Sequence, residues 1–381
     1  MVTSARINPR LLAWMRERAG LDQADAAAAC GVKAEQLAAW EAGEAAPTFR
    51  QAQKLAAALH APLGYLFLSV PPAEPLPIPD LRTLGGAVPR RPSLDLQDTI
   101  REALQRQDWY AEHLREQQGR APLEFVGRWS MDSPPERIAD DLHATLGVDI
   151  RSGSRRSDDY HRELITAAER CGVLVMRSGI VAGNTHPALD VAEFRGFAIA
   201  HPQAPLVFVN SADAPAARLF TLVHELAHLW VGSSGVSDAQ PGSHQPVEVL
   251  CNAVAGEFLA PRQHFTELWQ AAADDPMDLR IARVAKALHV STLVVMRRAL
   301  DLGLVSAEAY RAHYLAELHR FRDQEGSGGS YYRTLGAKNS ERFARAVLTE
   351  ALSGRLLLRD AGRLLGMQPS KLRRFAEVIG V

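Results

Sequence analysis

The residues best suited to chemistry lie in one short apolar segment, residues 219–231, with the sequence LFTLVHELAHLWV. Its polar side chains are Thr221, His224, Glu225 and His228, and at about 100° per residue they share one stripe of a helix. Apolar residues surround the rest of that helix, which predicts that it is buried. Two imidazoles and a carboxylate buried together are costly unless a partner satisfies them, and a divalent metal ion is the simplest partner.

The spacing of these residues predicts a hydrolytic zinc site. His224 and His228 are four residues apart, one helical turn, so both rings can reach one ion. A catalytic zinc ion keeps a position for water and lowers the pKa of that water to about 7. Glu225 lies beside the histidines and is predicted to take the proton, as in the H-E-x-x-H motif of metallopeptidases. The alternatives are a metal-free histidine pair and a purely structural zinc ion.

A third protein ligand is required, and several residues that follow the helix are candidates. Glu248, on a helix predicted at 247–259, is the favoured ligand. Glu257 lies on roughly the same face, and His244, in the loop between the two helices, could bind the metal or donate to the substrate. Asn252, one turn beyond Glu248, is predicted to orient a ligand or bind the substrate backbone.

Short apolar runs before the motif predict a small sheet, with strands at 173–176, 194–200 and 205–209. An edge strand beginning at 194–197 could hold a peptide by backbone pairing. Arg195 in that run is predicted to bind a substrate carbonyl or carboxylate, with a structural salt bridge as the alternative. The other periodic segments are helical (95–119, 134–147, 158–171 and 215–231), so the fold class is mainly α with a small β-sheet, α+β.

These residues resemble a known family. The segment FRGFAIAHPQAPLVFVNSADAPAARLFTLVHELAHLWVG, followed by VEVLCNAVAGEFLAP, resembles the ImmA/IrrE metallo-endopeptidases over roughly residues 155–300. The resemblance implies a gluzincin-like minimal metallopeptidase domain that cleaves a repressor. It implies zinc ligands at His224, His228 and Glu248, the last of which opens an E-x-x-[AC]-N pattern, with Glu225 as general base. The departure is Gly256, where alanine is usual, and it is expected to weaken that helix slightly.

The N-terminal stretch predicts five short helices within residues 8–68. Asn8 can cap the first helix, with Pro9 at its first position. The others are predicted at 23–30, 34–42, 50–59 and 63–68, with Gly31 and Gly43 as stops after two of them. Gln23, Gly31-Val32, Trp40-Glu41, Gly43 and Pro47 make this stretch resemble an XRE-type helix-turn-helix domain, which is all-α.

In such a domain the third helix enters the major groove of DNA. The candidate DNA-binding residues are Lys33, Glu35 and Gln36 on that helix, with Gln23 and Arg50 placed to reach phosphates. Residues 1–72 carry seven basic and six acidic side chains, a net charge of only +1, so the phosphate contribution is expected to be modest. The alternative is that this domain docks a protein partner.

The rest of the chain divides at composition changes. Pro71–Pro79 contains five prolines and predicts a stiff linker. The predicted domains are 1–70, the linker 71–92, the peptidase domain 93–325 and a basic helical region 331–381. Helix-turn-helix-like spacing recurs at 283–300, which is assigned a structural role, and at 359–380. Residues 331–381 hold ten basic and four acidic side chains, which is typical of a solvated helical face or of contacts to nucleic acid or an acidic partner.

Composition sets the remaining expectations. The 381 residues contain no apolar run of about 18, so no membrane span is expected, and the N-terminus lacks the apolar core of a signal peptide. Three separated cysteines suit a reducing cytoplasm. The resulting hypothesis is a cytoplasmic zinc endopeptidase and transcriptional regulator, able to form a homodimer, that cleaves a regulatory protein in a mobile-element, stress or defence response. The alternative is a DNA-binding antitoxin or regulator that binds a toxin or another partner without proteolysis.

Overall fold

The computed structural model describes residues 5–81, 92–119, 121–148, 157–180, 188–237, 245–324 and 331–381. The chain forms two compact units, one comprising Met1–Pro77 with Arg91–Asp98 and the other Ile78–Arg90 with Thr99–Val381. Among the helices of these described ranges, none is both long enough and apolar enough to cross a bilayer. The predicted class, mainly α with one small sheet, is confirmed.

The first unit holds the predicted N-terminal helices: α1 Pro9–Arg18, α2 Gln23–Cys30, α3 Ala34–Ala42, α4 Phe49–Ala58 and a 3₁₀ helix Leu63–Phe67. Asn8 caps α1, since its side chain accepts a hydrogen bond from the backbone N–H of Arg10 at 3.1 Å. Gly31 and Gly43 end α2 and α3 with left-handed backbone, at φ of 69° and 76°. Leu37 and Trp40 bury the inner face of α3, which leaves its other face outside the core.

The second unit carries most of the helices. Those outside its C-terminal region are α5 Leu94–Gln118, which begins in the first unit, α6 Pro135–Leu146, α7 Ser157–Cys171, α8 Pro215–Trp230, α9 Pro246–Leu259, α10 Arg262–Ala271, α11 Met277–Leu288, α12 Thr292–Asp301 and α13 Ala307–Gln324. The C-terminal region contains α14 Tyr331–Asn339, α15 Glu341–Leu352, α16 Leu358–Leu365, a 3₁₀ turn Pro369–Lys371 and α17 Leu372–Ile379.

Four short strands form one mixed sheet: β1 Leu174–Ser178, β2 Gly196–Ile199, β3 Leu206–Asn210 and β4 Gly235–Ser237, in the order β1-β3-β2-β4. β1 runs parallel to β3, and β2 is antiparallel to both of its neighbours. The first three strands were predicted. β4 was not, because it lies in a stretch that reads as a Gly/Ser-rich loop and pairs through only three residues.

The edge of the sheet differs from the expectation. β2 lies between β3 and β4, so the run at 194–197 does not provide a free edge for a peptide. On the other side of β4, the N–H of Leu81 donates to Val236 O at 3.0 Å and the N–H of Val236 donates to Pro79 O at 2.9 Å. The end of the proline-rich segment, predicted as a linker up to residue 92, is therefore paired with the sheet at residues 79–81.

Helix α8 lies against β2 and β3 on one side and against α9 on another. Every residue from Leu219 to Trp230 is buried, as the all-round apolar pattern predicted. Trp230 stacks on Phe125 with ring centroids 4.3 Å apart, and its indole N–H donates to Asp141 at 3.0 Å. Because each fully buried large apolar side chain contributes about 1.5–3 kcal/mol, this packing holds the helix and its polar stripe in one position.

Candidate metal centre and helix-turn-helix surface

Packing of α8 against α9 brings His224, His228 and Glu248 together, and all three side chains are fully buried. The Nε2 atoms of the two histidines lie 3.2 Å apart. Glu248 Oε2 lies 3.3 Å from His224 Nε2, and Glu248 Oε1 lies 3.0 Å from His228 Nε2. The three side chains that the motif and the resemblance single out therefore converge on one point.

This arrangement fits a divalent metal ion. Ligand atoms at about 2.0–2.1 Å from a tetrahedral ion lie about 3.3 Å from one another, close to the separations observed here. Although both oxygens of Glu248 are near the imidazoles, neither has hydrogen-bond geometry to a partner among the described residues. Buried carboxylate oxygens left without a partner cost free energy, and an ion bound by the three groups would satisfy them.

The electrostatics of the cluster separate its two carboxyl groups. Burial raises the pKa of Glu225 to about 8, opposed by the charge of His224 and by the hydrogen bond from Ser237. Burial also acts to raise the pKa of Glu248, but the charge and proximity of His224 and His228 outweigh it and hold this pKa at about 2. For His224 burial acts in the opposite direction and lowers the pKa, but the negative charge of the neighbouring Glu248 outweighs it, so the pKa of His224 is raised. The pocket thus favours an ionised Glu248.

Two strand residues that the sequence reasoning missed position Glu225. Ser237 on β4 donates its hydroxyl to Glu225 Oε1 at 2.5 Å. Gly196 on β2 runs so close beneath the carboxylate that a Cβ there would lie 2.6 Å from Glu225 Oε1 and 2.8 Å from the carbonyl oxygen of Phe208. A glycine inside a strand is a signal for close approach, so Gly196 was recognisable from the sequence in principle. Ser237 lay in the unpredicted strand.

The rival third ligands differ from Glu248 in their surroundings. Glu257 is paired with the guanidinium of Arg298 and accepts the backbone N–H of Arg262 at 3.1 Å, outside the cluster. His244 lies outside the described residues. Asn252 is buried, and its Oδ1 has no hydrogen-bond partner in the described part of the chain, so it retains an unused acceptor.

Gly256 has a clear local role in α9. A Cβ at this position would lie 2.7 Å from Nη1 of Arg298, the arginine that pairs with Glu257. The glycine therefore makes room for a buried ion pair between α9 and α12. This role offsets the lower helix propensity of glycine.

Arg195, predicted as a substrate-binding residue, is held in a buried network. Its Nε lies 3.6 Å from Asp213 Oδ2, and its guanidinium lies over the ring of Tyr314, 4.3 Å from the centroid. Tyr314 in turn donates its hydroxyl to Asp213 Oδ1 at 2.8 Å. These contacts favour the structural alternative for Arg195, and a role in substrate binding stays a prediction without support from this geometry.

The candidate DNA-binding residues lie at the surface of the first unit. Lys33, Glu35, Gln36 and Arg50 are all exposed. Gln23 is also exposed, but its side-chain amide donates to Glu41 Oε2 at 2.8 Å, and Glu41 also accepts from Arg16 at 2.7 Å. Gln23 therefore helps to fix α2 against α3 as well as being available at the surface.

Comparison with known proteins identifies the classes of domain present. Residues 168–300 match the family described as IrrE N-terminal-like domain, residues 12–66 match the helix-turn-helix family, and residues 339–378 match a family described as a domain of unknown function. The chain therefore contains an IrrE-like peptidase domain and an N-terminal helix-turn-helix domain, and both resemblances seen in the sequence are confirmed.

A particular relative is the radiation response metalloprotease IrrE of Deinococcus radiodurans, which is 32% identical over 97 residues. The match covers 24% of this chain and 29% of the relative, so the chain spans less than a third of that protein's length. No solved structure matches the chain. Together the matches support a metallopeptidase domain next to a helix-turn-helix domain.

Proposed function

We propose that this protein is a cytoplasmic zinc-dependent endopeptidase that cleaves a repressor or another regulatory protein, with DNA contacts through its N-terminal domain. The observation that carries the proposal is the fully buried His224, His228 and Glu248 cluster, in which the glutamate oxygens have no hydrogen-bond partner among the described residues. The relation to a radiation response metalloprotease supports a stress response as the setting, and a mobile-element or defence response stays a prediction from the sequence.

In this proposal His224, His228 and Glu248 hold zinc, and Glu225 handles the proton. A bound zinc ion would polarise the scissile carbonyl and lower the pKa of a water molecule to about 7. The positive charge of a bound zinc ion would favour the ionised form of Glu225. The ionised carboxylate would accept a proton at Oε2, because Oε1 already accepts the hydroxyl of Ser237. The same oxygen then returns the proton to the leaving amine.

Asn252 is the residue that we assign to the substrate. Its buried Oδ1 lacks a partner in the described part of the chain, and a peptide backbone N–H is a donor that would satisfy it. Its position one turn after Glu248 on α9 keeps this acceptor on the helix that also supplies a metal ligand. His244 stays a second candidate for substrate binding on sequence grounds alone.

Glu225→Gln tests the proposal. The variant should keep the metal content of the parent, measured by mass spectrometry of the purified protein, and it should trap the regulatory protein in a pull-down. Cleavage of that trapped protein by the parent should exceed cleavage by the variant about 10²–10⁴-fold, the usual contribution of a general base. Glu267→Gln, at an exposed position on α10, is the matched control and should cleave as the parent does.

Equal cleavage by Glu225→Gln and the parent would contradict this mechanism. A parent that binds its partner and DNA but cleaves neither the partner nor any co-purified regulator would instead indicate the antitoxin or regulator alternative. Formation of a homodimer is a separate prediction that light scattering of the full chain would check.

A further inference from the structure

Three pairs of helices in this chain share one kind of turn. α2, α11 and α16 each end at a residue with left-handed backbone: Gly31 at φ 69°, His289 at φ 57° and Gly366 at φ 65°. This conformation reverses the chain sharply enough to start a second helix across the first. The second helices are α3, α12 and the segment Pro369–Ile379, which is a 3₁₀ turn followed by α17.

The hydrogen bonds of the three turns agree as well. The residue after each left-handed position donates its N–H to the carbonyl five residues earlier: Val32 to Ala27 at 3.0 Å, Val290 to Ala285 at 3.1 Å and Met367 to Gly362 at 2.8 Å. In each case the second helix begins two residues after that donor. The N-terminal pair lies within the match to the helix-turn-helix family, so the C-terminal pair shares its turn geometry and helix spacing with a recognised helix-turn-helix.

A small residue is present at the acceptor position of every turn, and at the C-terminus it must be small. A Cβ on Gly362 would lie 2.7 Å from the carbonyl oxygen of Met367 and 3.2 Å from Cγ of Pro369. α15 completes the unit by packing against both α16 and α17. Leu365 and Phe375 are fully buried, and the ring of Phe343 on α15 packs against Trp109 of α5. Residues 341–381, the C-terminal unit, are therefore three helices packed together and against the rest of the second unit.

The three second helices expose different surfaces. All residues from Leu293 to Ala299 of α12 are buried, so this helix packs into the peptidase core and cannot enter a DNA groove. The N-terminal pair exposes Lys33, directly before α3, and Glu35 on α3, whose charges cancel. The C-terminal unit is different, because the exposed charges around its turn are mostly positive.

We define the C-terminal basic face by five exposed cations, listed here in chain order: Arg359, Arg363, Lys371, Arg373 and Arg374. Two of these face acids, since Arg359 lies 3.4 Å from Asp360 and Arg374 lies 2.7 Å from Glu377. Arg363 and Arg373, one on each helix of the turn, have no ion pair within the described residues. These two guanidinium groups are thus available to an external anion.

We propose that residues 341–381 form a second DNA-binding helix-turn-helix and that the C-terminal basic face contacts the phosphates of duplex DNA. A helix-turn-helix presents its second helix to the major groove while the first crosses the backbone, so cations on both helices suit neighbouring phosphates. The excess of positive charge on the C-terminal basic face favours a polyanion as its binding partner. The C-terminal unit, and not the nearly neutral N-terminal domain, then supplies most of the salt-dependent affinity.

The test uses the full chain and a fluorescein-labelled duplex of mixed sequence, about three helical turns long. Fluorescence anisotropy gives the dissociation constant over a range of salt concentrations for the parent and for Arg363→Ala/Arg373→Ala. Each lost phosphate contact should reduce the slope of log affinity against log salt by about 0.9, so the double variant should lose about 1.8. At about 0.1 M salt the affinity should fall at least about tenfold.

The matched control is Arg262→Ala/Arg311→Ala, which removes two exposed arginines from α10 and α13 and should bind as the parent does. Thermal unfolding checks that both double variants fold, and Arg363→Gln/Arg373→Gln replaces the alanine variant if that one does not. If the C-terminal double variant had the same slope and affinity as the parent, the proposal would be overturned. The C-terminal basic face would then be a solvated surface or a contact for an acidic protein. A loss equal in the control would overturn the proposal too.

Discussion

The metal cluster of α8 and α9 and the exposed face of α3 both hold polar residues that the sequence singles out, under opposite conditions. His224, His228 and Glu248 are fully buried, and their ligand atoms converge on one point. Lys33 and Gln36 on the N-terminal helix-turn-helix are exposed. Removing one buried polar group leaves its neighbours without a partner in a medium of low dielectric constant. When an exposed side chain is removed, water can hydrogen-bond to the groups that it contacted.

This difference teaches where single substitutions act strongly. In the buried cluster, function should be lost as a unit, because in the proposed site the three side chains bind one ion together. On the surface of the helix-turn-helix, function should decline in steps, one charge at a time. The predictions below run from the largest expected effect to the smallest.

The largest effect is expected for the third ligand. Glu248→Gln should lower the zinc content of the purified protein from about one ion per chain to nearly none, because a neutral amide is a poor zinc ligand. Glu257→Gln, its matched control on the same helix, should retain the metal. Metal lost from the Glu257 variant and kept in the Glu248 variant would reverse the assignment of the two glutamates.

A buried position outside the cluster should respond less strongly. Gly256→Ala places a methyl group 2.7 Å from Arg298 Nη1 and should disturb the ion pair with Glu257. We expect the free energy of unfolding in urea to fall by about 1–2 kcal/mol, despite the better helix propensity of alanine. In a Glu257→Gln/Arg298→Met background the same change should raise stability by about 1 kcal/mol. Loss of stability in both backgrounds would show that Arg298 is not the obstacle.

A largely buried histidine in α7 should make stability depend on pH. Burial, and then the positive charges of Arg177, Arg218 and Arg162, lower the pKa of His161 to about 3. The folded chain keeps this ring neutral, while the unfolded chain protonates it below pH about 6.5, so stability falls as the pH drops through that value. Between pH 7 and 5 the contribution lost is about 2 kcal/mol. His161→Gln should remove this part of the decline in urea unfolding, and an unchanged decline would refute the assignment.

The smallest effect is expected on the exposed face. Lys33→Ala should leave stability within about 0.5 kcal/mol of the parent and reduce the salt slope of DNA binding by about 1. Gln36→Ala, which does not change the charge, is the control for Lys33→Ala and should leave the salt slope of DNA binding unchanged. If Lys33→Ala reduced the slope more than the Arg363→Ala/Arg373→Ala variant, the N-terminal domain would be the main electrostatic contact.

Several features of this protein were predictable because their causes are local. Asn8, Gly31 and Gly43 mark helix ends by capping and by left-handed backbone, and those ends lie where the sequence placed them. The apolar sequence around His224 and Glu225 likewise predicted a buried helix. β4 escaped prediction, because three residues that pair through their backbones leave no pattern in the side chains.

The sequence by itself determined the histidine pair, the adjacent Glu225 and the helix that holds them, since a helical turn relates them directly. Only the tertiary structure decided that Glu248 and not Glu257 faces the histidines, because both glutamates lie on one helix and only its packing against α8 separates them. It also decided that β2 is an interior strand and that Ser237 supports Glu225. Contacts between segments distant in the chain depend on how whole elements pack, which no local pattern specifies.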